Sequence, residues 1–209
     1  MILDCDPGVD DAMAIITAAR WADLVGITTV AGNVELEHTT ANACRIRELL
    51  GLDVEIHAGA SGPLVGAQEF AHEVHGATGL GDLVLPEPNR SADSNNAVEW
   101  LVETTRSEEG IYLVPVGPLT NVALALRADP DLARRVASIT LMGGSAQGVG
   151  NVTPVAEFNV YADPEAADEV FRSGAPLAML GLNLTHQVRM GSMHGRECAT
   201  FGTPVGDAM

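Results

Sequence analysis

Short apolar runs alternate with stretches of helical periodicity along most of the chain. The apolar runs predict β-strands that end near residue 3 and that cover residues 24–30, 54–57, 111–116, 138–142 and 177–182. Apolar residues at helical spacing predict helices over residues 12–19, 34–50, 91–106, 122–127 and from an N-cap at Asp163 to Arg172. Unbroken apolar strands separated by helices are typical of a parallel sheet covered on both faces. We therefore predict one α/β domain over residues 1–209, with a Rossmann-like, open, mostly parallel sheet and helices on both faces.

Polar residues and one methionine follow directly after the predicted strands. Ligands of parallel sheets bind at the carboxyl ends of the strands, so these residues are expected to share one crevice. They are Asp6, Asn33, Thr120, Met142 and Asn183. Residues 58–89 are rich in Gly and Pro and lack periodicity. A loop of this length inside a compact domain usually forms a lid or a wall of a site.

The most concentrated chemistry is a group of four aspartates within eight residues, Asp4, Asp6, Asp10 and Asp11. Asp4 and Asp6 are expected on one face of the strand end because side chains alternate, with Cys5 on the other face. Asp10 and Asp11 fall in the first turn of the next helix, where backbone N–H groups favour anions. Crowded carboxylates raise each other's pKa unless a cation lies among them. A hard divalent cation explains the whole group, whereas helix capping explains one of the four charges.

Composition excludes several classes of function. The net charge of −17 argues against a nucleic-acid ligand. All 11 basic residues are Arg, so the chain has no Walker-type lysine, no lysine Schiff base and no lysine general base. Three dispersed cysteines fit neither a disulfide framework nor a zinc knuckle, and no stretch is apolar enough to span a bilayer. We expect a cytoplasmic protein without membrane contact.

The segment DCDPGVDDA at residues 4–12 resembles the N-terminal signature of the inosine–uridine-preferring nucleoside hydrolases. Further segments similar to the motifs of this family follow in the family's order, over nearly all of residues 1–190. They are AGN at 31–33, HG at 75–76 with GLG at 79–81, GPLTN at 117–121, MGG at 142–144, Asn151 with EFN at 157–159, DPEAA at 163–167 and LNLTH at 182–186.

The resemblance implies hydrolysis of the N-glycosidic bond of a ribonucleoside, which gives ribose and a free purine or pyrimidine base, with one Ca²⁺ in the site. It implies that Asp6 and Asp11 bind Ca²⁺ through their carboxylates and Thr120 through its backbone carbonyl. Asp6 would also accept a proton from the attacking water. The family suggests a homo-oligomer, either a dimer or a tetramer.

The resemblance also implies a set of residues that bind the substrate. Three would hold the 2′ and 3′ hydroxyls of the ribose, two the 5′ hydroxyl, one would lie under the sugar and one would line the base. In that order they are Asp10, Asn33 and Asn159, then Asn151 and Glu157, then Met142, then His75.

The chain departs from the family at its C-terminal side. Family members are longer, and their additional C-terminal part carries a His-Asp pair. This sequence contains no His-Asp dipeptide. We therefore expect this chain to lack the C-terminal part of the family fold and to have weak activity or none. Two alternatives follow: an impaired module that binds ribose or nucleosides, and a Mg²⁺ phosphatase similar to the haloacid dehalogenases. Pro7-Gly8 and the absence of lysine argue against the phosphatase.

Overall fold

Six parallel strands form one sheet in the computed structural model, which describes residues 1–208. Strands β1 to β6 are Ile2–Cys5, Gly26–Thr29, Glu55–Ala58, Tyr112–Pro115, Ser138–Met142 and Leu177–Leu180. Their order across the sheet is β3-β2-β1-β4-β5-β6, and every adjacent pair is parallel. The direction of the strand order reverses between β1 and β4, which is where doubly wound sheets open a crevice for ligands. The predicted fold class is confirmed.

Helices follow the strands along the chain. Helices α1 to α11 are Val9–Trp21, Leu36–Leu49, His72–His75, Ala97–Ser107, Thr120–Ala128, Leu132–Arg135, Phe158–Ala162, Pro164–Arg172, Leu182–Thr185, Ser192–Ala199 and Pro204–Ala208. Within residues 1–208, no helix combines the length and the apolar character that crossing a membrane requires.

Two hydrophobic cores cover the two faces of the sheet. Ile2 of β1 belongs to the core that contains residues of α4, α5, α6 and α8, whereas Leu3 and Cys5 belong to the core formed with α1 and α2. This alternation places Cys5 on the face opposite Asp4, as predicted. The largest fully buried side chains are aliphatic, and they lie on both faces.

The helix predicted over residues 91–106 begins six residues later, at Ala97. The buried guanidinium of Arg47 donates to the carbonyl of Ser91 at 2.9 Å and to Asp93 at 3.1 Å. Asp93 also accepts the backbone N–H of Ile56 at 2.9 Å. These long-range bonds hold residues 91–94 beside strand β3, so the segment cannot be helical. Residues 192–208 contain α10 and α11, and these two helices pack against each other.

Candidate active site

One cavity of about 400 Å³ lies at the carboxyl ends of the strands. It brings together every residue that the sequence proposed for the substrate or the metal, with the exception of Thr120. The residues collected are Asp6, Asp10, Asp11, Asn33, His75, Met142, Asn151, Glu157 and Asn159. Of the five strand-end residues that were expected to share one crevice, Asp6, Asn33 and Met142 line this cavity, whereas Thr120 and Asn183 do not.

Asn33 links the two buried aspartates of the cavity. Its backbone N–H donates to Asp6 Oδ2 at 2.7 Å, and its side-chain Nδ2 donates to Asp11 Oδ2 at 3.0 Å. The Asp6 carboxylate lies between two glycines, because a Cβ on Gly32 would fall 2.2 Å from Oδ2 and one on Gly117 2.5 Å from Oδ1. The turns after β2 and β4 thus leave room for this carboxylate only because they carry no side chains at these two positions.

Asp4 lies outside the cavity, although we expected the four acids around one volume. It is fully buried, and its Oδ1 accepts the hydroxyl of Thr28 at 2.6 Å and the side-chain amide of Asn121 at 2.8 Å. Burial raises the pKa of Asp4 to about 6, and the two hydrogen bonds lower it only in part. The cavity therefore holds three of the four acids, and Asp4 joins β1 to β2 and α5.

Glu157 and Asn159 connect helix α7 to the ends of the central strands. Glu157 is the N-cap of α7, and its Oε2 also accepts the N–H of Gly144 at 2.8 Å. Asn159 donates to the carbonyls of Val116 at 2.8 Å and Met142 at 3.2 Å. Both side chains are almost completely buried, so the floor of the cavity is rigid on this side.

His75 closes the cavity over the first turn of α1. Its Nδ1 accepts the backbone N–H of Val9 at 3.2 Å, and burial lowers the pKa of the imidazole. With Nδ1 acting as acceptor, the neutral ring carries its hydrogen on Nε2. Gly8 is necessary at this point, because a Cβ there would lie 2.4 Å from His75 Nδ1 and 2.6 Å from Asn33 Nδ2.

Burial dominates the electrostatics of the cavity. It raises the pKa of Asp6 well above its usual range, and the charge of Asp11 adds to this effect. Burial, followed by the charge of Asp10, raises the pKa of Asp11 to about 7. Oδ1 of Asp11 is buried and has no hydrogen-bond partner within residues 1–208. A cation among these oxygens would restore the charged forms.

The donor atoms suit a hard cation, because the acidic side chains of the cavity supply carboxylate oxygens. In the described part of the chain, no group of three or more His, Cys, Asp or Glu side chains is placed so that it could hold a metal ion. Thr120 is buried at the first position of α5, does not line the cavity, and donates its hydroxyl to Asp163 at 2.6 Å. The carbonyl ligand proposed at Thr120 stays a prediction.

Sequence reasoning missed much of the outer wall of the cavity. Part of this wall comes from the long loop after β3 and part from the region around α7. The residues that were missed are Glu69, Phe70, Ala71, Glu73, Val74, Val116, Val152, Phe158 and Tyr161. The only signal for the first five was the length of the loop, which had indicated a site wall.

Known proteins show the same sequence pattern and fold. The pyrimidine-specific ribonucleoside hydrolase RihB of Escherichia coli K12 is 48% identical over 190 residues, which are 90% of this chain and 60% of RihB. A purine-preferring ribonucleoside hydrolase from Gardnerella vaginalis is 36% identical with a TM-score of 0.95, over 99% of this chain and 68% of that structure. A plant nucleoside hydrolase is 37% identical with a TM-score of 0.92, over 99% and 67%.

The match to the family covers the whole chain. Residues 1–209 fit the model described as inosine-uridine preferring nucleoside hydrolase. The chain spans 60% of the length of the curated relatives that it matches. The resemblance carried by the separated motifs is confirmed, and this chain belongs to the inosine-uridine preferring nucleoside hydrolase family.

Proposed function

We propose that the protein hydrolyses the N-glycosidic bond of ribonucleosides and releases ribose and a free purine or pyrimidine base. The observation that supports this most strongly is the content of the single cavity, in which Asp6, Asp10, Asp11 and Asn33 lie with Glu157 and Asn159. Carboxylates and amides on several sides suit a ligand that carries many hydroxyl groups. The volume of about 400 Å³ is in the range of pockets for small molecules.

The side chains fit the charges that develop during this reaction. Glycosidic cleavage passes through an oxocarbenium-like state, in which positive charge grows on the sugar and negative charge on the leaving group. Asp6 is proposed to accept a proton from the attacking water, and the neighbouring carboxylates stabilise the positive sugar ring. Neutral His75 offers its Nε2–H to the base. Asp6 is thus proposed as the base for the water, and His75 as the hydrogen-bond donor to the leaving group.

Hydrogen bonds to the sugar are proposed to come from both halves of the sheet. Asp10 and Asn33 lie on the β1 and β2 side, and Asn159 on the β5 side, and these three are assigned to the 2′ and 3′ hydroxyls. Glu157 and Asn151 are assigned to the 5′ hydroxyl. A ribose held from both sides is oriented for attack, which is a large part of the catalytic effect in reactions of this kind.

Ca²⁺ is the proposed cofactor, held by the carboxylates of Asp6 and Asp11 and by the backbone carbonyl of Thr120. The buried Oδ1 of Asp11, which has no partner in residues 1–208, supports this assignment. When bound, Ca²⁺ supplies a Lewis acid that lowers the pKa of a water molecule, so that a weak base such as an aspartate can deprotonate it. The raised pKa values of Asp6 and Asp11 agree with a site whose carboxylates need a cation to stay charged.

We expect Asp11→Asn to have a higher Tm than wild type at pH 8 in EDTA, and a lower Tm than wild type at pH 8 in Ca²⁺. In wild-type protein without a bound cation, the pKa of Asp11 rises from 3.8 in the unfolded chain to about 7 in the folded chain. The folded state therefore binds more protons between these values, and the free energy of unfolding falls as pH rises from 4 to 7. The variant lacks this contribution, so at pH 8 its Tm should exceed that of wild type by several degrees.

Millimolar Ca²⁺ should reverse the order of the two Tm values at pH 8, because only wild-type protein offers the Asp11 carboxylate to the ion. Differential scanning fluorimetry at pH 4.5, 6 and 8 measures both effects. Asp23→Asn, an exposed exchange of the same chemistry, serves as the control and should follow wild type throughout. A difference in Tm between wild type and Asp11→Asn that is independent of pH in EDTA would contradict the assignment.

The direct test of the function is incubation of the purified protein with Ca²⁺ and either uridine or inosine, with detection of ribose by its reducing end. Release of ribose that EDTA abolishes is the expected result. Failure to release ribose from any ribonucleoside contradicts the proposal. Calorimetric titration with ribose then decides whether the cavity is a binding module without turnover, which is the alternative from a different class.

We also propose a homo-oligomer, dimer or tetramer, in the cytoplasm. The family resemblance supports the oligomer, and the free thiols of Cys5, Cys44 and Cys198 suit a reducing compartment. Light scattering coupled to size-exclusion chromatography measures the oligomeric state directly.

A further inference from the structure

We infer that Asn121 and Asp163 are positioning residues that fix the beginning of the loop after β3 and thereby hold one wall of the cavity in place for the substrate. Neither residue lines the cavity. We call this pair the loop tether. The inference rests on the proposed function, since it assigns the wall a role in binding a nucleoside.

Asn121 fixes the point where the chain leaves β3. This fully buried side chain accepts the N–H of Ala60 on Oδ1 at 2.8 Å. Its Nδ2 donates to the carbonyl of Thr29 at 3.0 Å and to Asp4 at 2.8 Å. A Cβ on Gly59 would lie 2.1 Å from Asn121 Oδ1, so only a residue without a side chain fits beside Asn121 at this position. One side chain of α5 thus joins the exits of three neighbouring strands, β1, β2 and β3.

Asp163 fixes the same loop four residues further on. Its Oδ1 accepts the N–H of Ala166 at 3.0 Å, which caps helix α8. Its Oδ2 accepts the N–H of Leu64 at 2.9 Å and the hydroxyl of Thr120 at 2.6 Å. One oxygen is enough to cap the helix. The second oxygen of this fully buried carboxylate therefore binds only the loop and α5.

The loop meets the cavity on both sides of a third anchor, Ala71. The N–H of Ala71 donates to the carbonyl of Asn33 at 3.0 Å. Glu69 and Phe70 directly precede this anchor, and Glu73, Val74 and His75 follow it; all five line the cavity. Residues 65–70 therefore form a segment whose two ends, Leu64 and Ala71, are fixed by hydrogen bonds. Loss of the tether would leave this end of the loop held by the bond from the Ala31 N–H to the carbonyl of Ala60 at 2.9 Å, and a ligand would have to order the segment after Ala60 on binding.

Two variants remove the tether in different ways. Asn121→Ala deletes the acceptor of Ala60 but also leaves buried partners of Asn121 unpaired, which costs stability. Asp163→Ser keeps an oxygen that can cap α8 while it removes the oxygen that binds Leu64. Asn89→Ala is the matched control, because the Asn89 amide donates to Glu48 on the exposed surface, and Asn89 contacts neither Ala60 nor Leu64.

The experiment combines amide hydrogen exchange with steady-state kinetics of nucleoside hydrolysis on the full chain. We expect faster exchange confined to residues 60–71 in both tether variants, unchanged exchange in the sheet, a rise of KM by roughly tenfold and a kcat within about threefold of wild type. Asn89→Ala should match wild type in both measurements. If Asn121→Ala does not fold, Asp163→Ser carries the test.

Two results would overturn the inference. One is wild-type exchange over residues 60–71 together with an unchanged KM. The other is exchange that accelerates equally in all strands, which shows a purely structural role. If the wild-type protein releases no ribose, the proposed function fails by itself, and selective exchange over residues 60–71 still decides whether the two side chains hold the loop.

Discussion

Asp6→Asn should lower kcat for nucleoside hydrolysis by at least about a thousandfold and abolish Ca²⁺ binding. The exchange keeps the size of the side chain and an oxygen that can accept the N–H of Asn33, so the fold should survive. It removes both the proposed base and one of two carboxylates for the ion. Ribose release measures the first effect, and calorimetric titration with CaCl₂ measures the second.

Asp23→Asn provides the comparison for this experiment, because Asp23 is an exposed residue outside the cavity. It should keep wild-type turnover and wild-type Ca²⁺ affinity. A Tm of Asp6→Asn in EDTA that is not below the Tm of wild type shows that lost activity does not come from unfolding. Turnover by Asp6→Asn within tenfold of wild type would rule out Asp6 as the base.

Wild-type protein should prefer uridine to 2′-deoxyuridine by at least about a thousandfold in kcat/KM. Asn33 and Asn159 are 6% and 7% exposed at the floor of the cavity. The side-chain nitrogens of both residues already donate within the protein, so their oxygens are the groups that lose a partner when the 2′ hydroxyl is missing. Initial rates of base release for both nucleosides, measured by ultraviolet absorbance, give the ratio.

Asp10→Asn tests whether the discrimination depends on the proposed sugar contacts. Asp10 lines the cavity but is exposed, so the exchange should not disturb the fold. The ratio between the two nucleosides should fall by roughly tenfold, mainly through a slower reaction with uridine. Equal rates for uridine and 2′-deoxyuridine in the wild type would contradict the assignment of the ribose contacts.

The sequence predicted the central strands well because β1 and β2 are buried on both faces, and such strands need mostly apolar residues. The bounds of β5, Ser138–Met142, also agree with the predicted run, although only one of its faces is fully buried. The late start of α4 could not be predicted in the same way. It depends on Arg47, a residue of α2 whose guanidinium binds the backbone at Ser91 far along the chain. Local periodicity contains no information about such a contact.

The candidate site was also predictable only in part, for the same reason. Positions directly after strands, such as Asp6 and Asn33, follow from the rule that parallel strands end at one edge. The direction of a side chain beyond that point depends on its partners, and Thr28 and Asn121 hold Asp4 away from the cavity. The wall around Phe70 could not be placed at all, because its position depends on hydrogen bonds to residues distant in sequence.

The strand order has a consequence for synthesis on the ribosome. Strand β1 pairs on one side with β2, which follows it closely, and on the other side with β4, where Ile2 lies opposite Leu113. The nascent N-terminal half can therefore form only one flank of the sheet, and contacts of long sequence separation form slowly. The pocket for Asp6 closes only when the glycine after β4, Gly117, has emerged. Until that moment the acidic turn remains open to solvent, and the growing chain has no completed site.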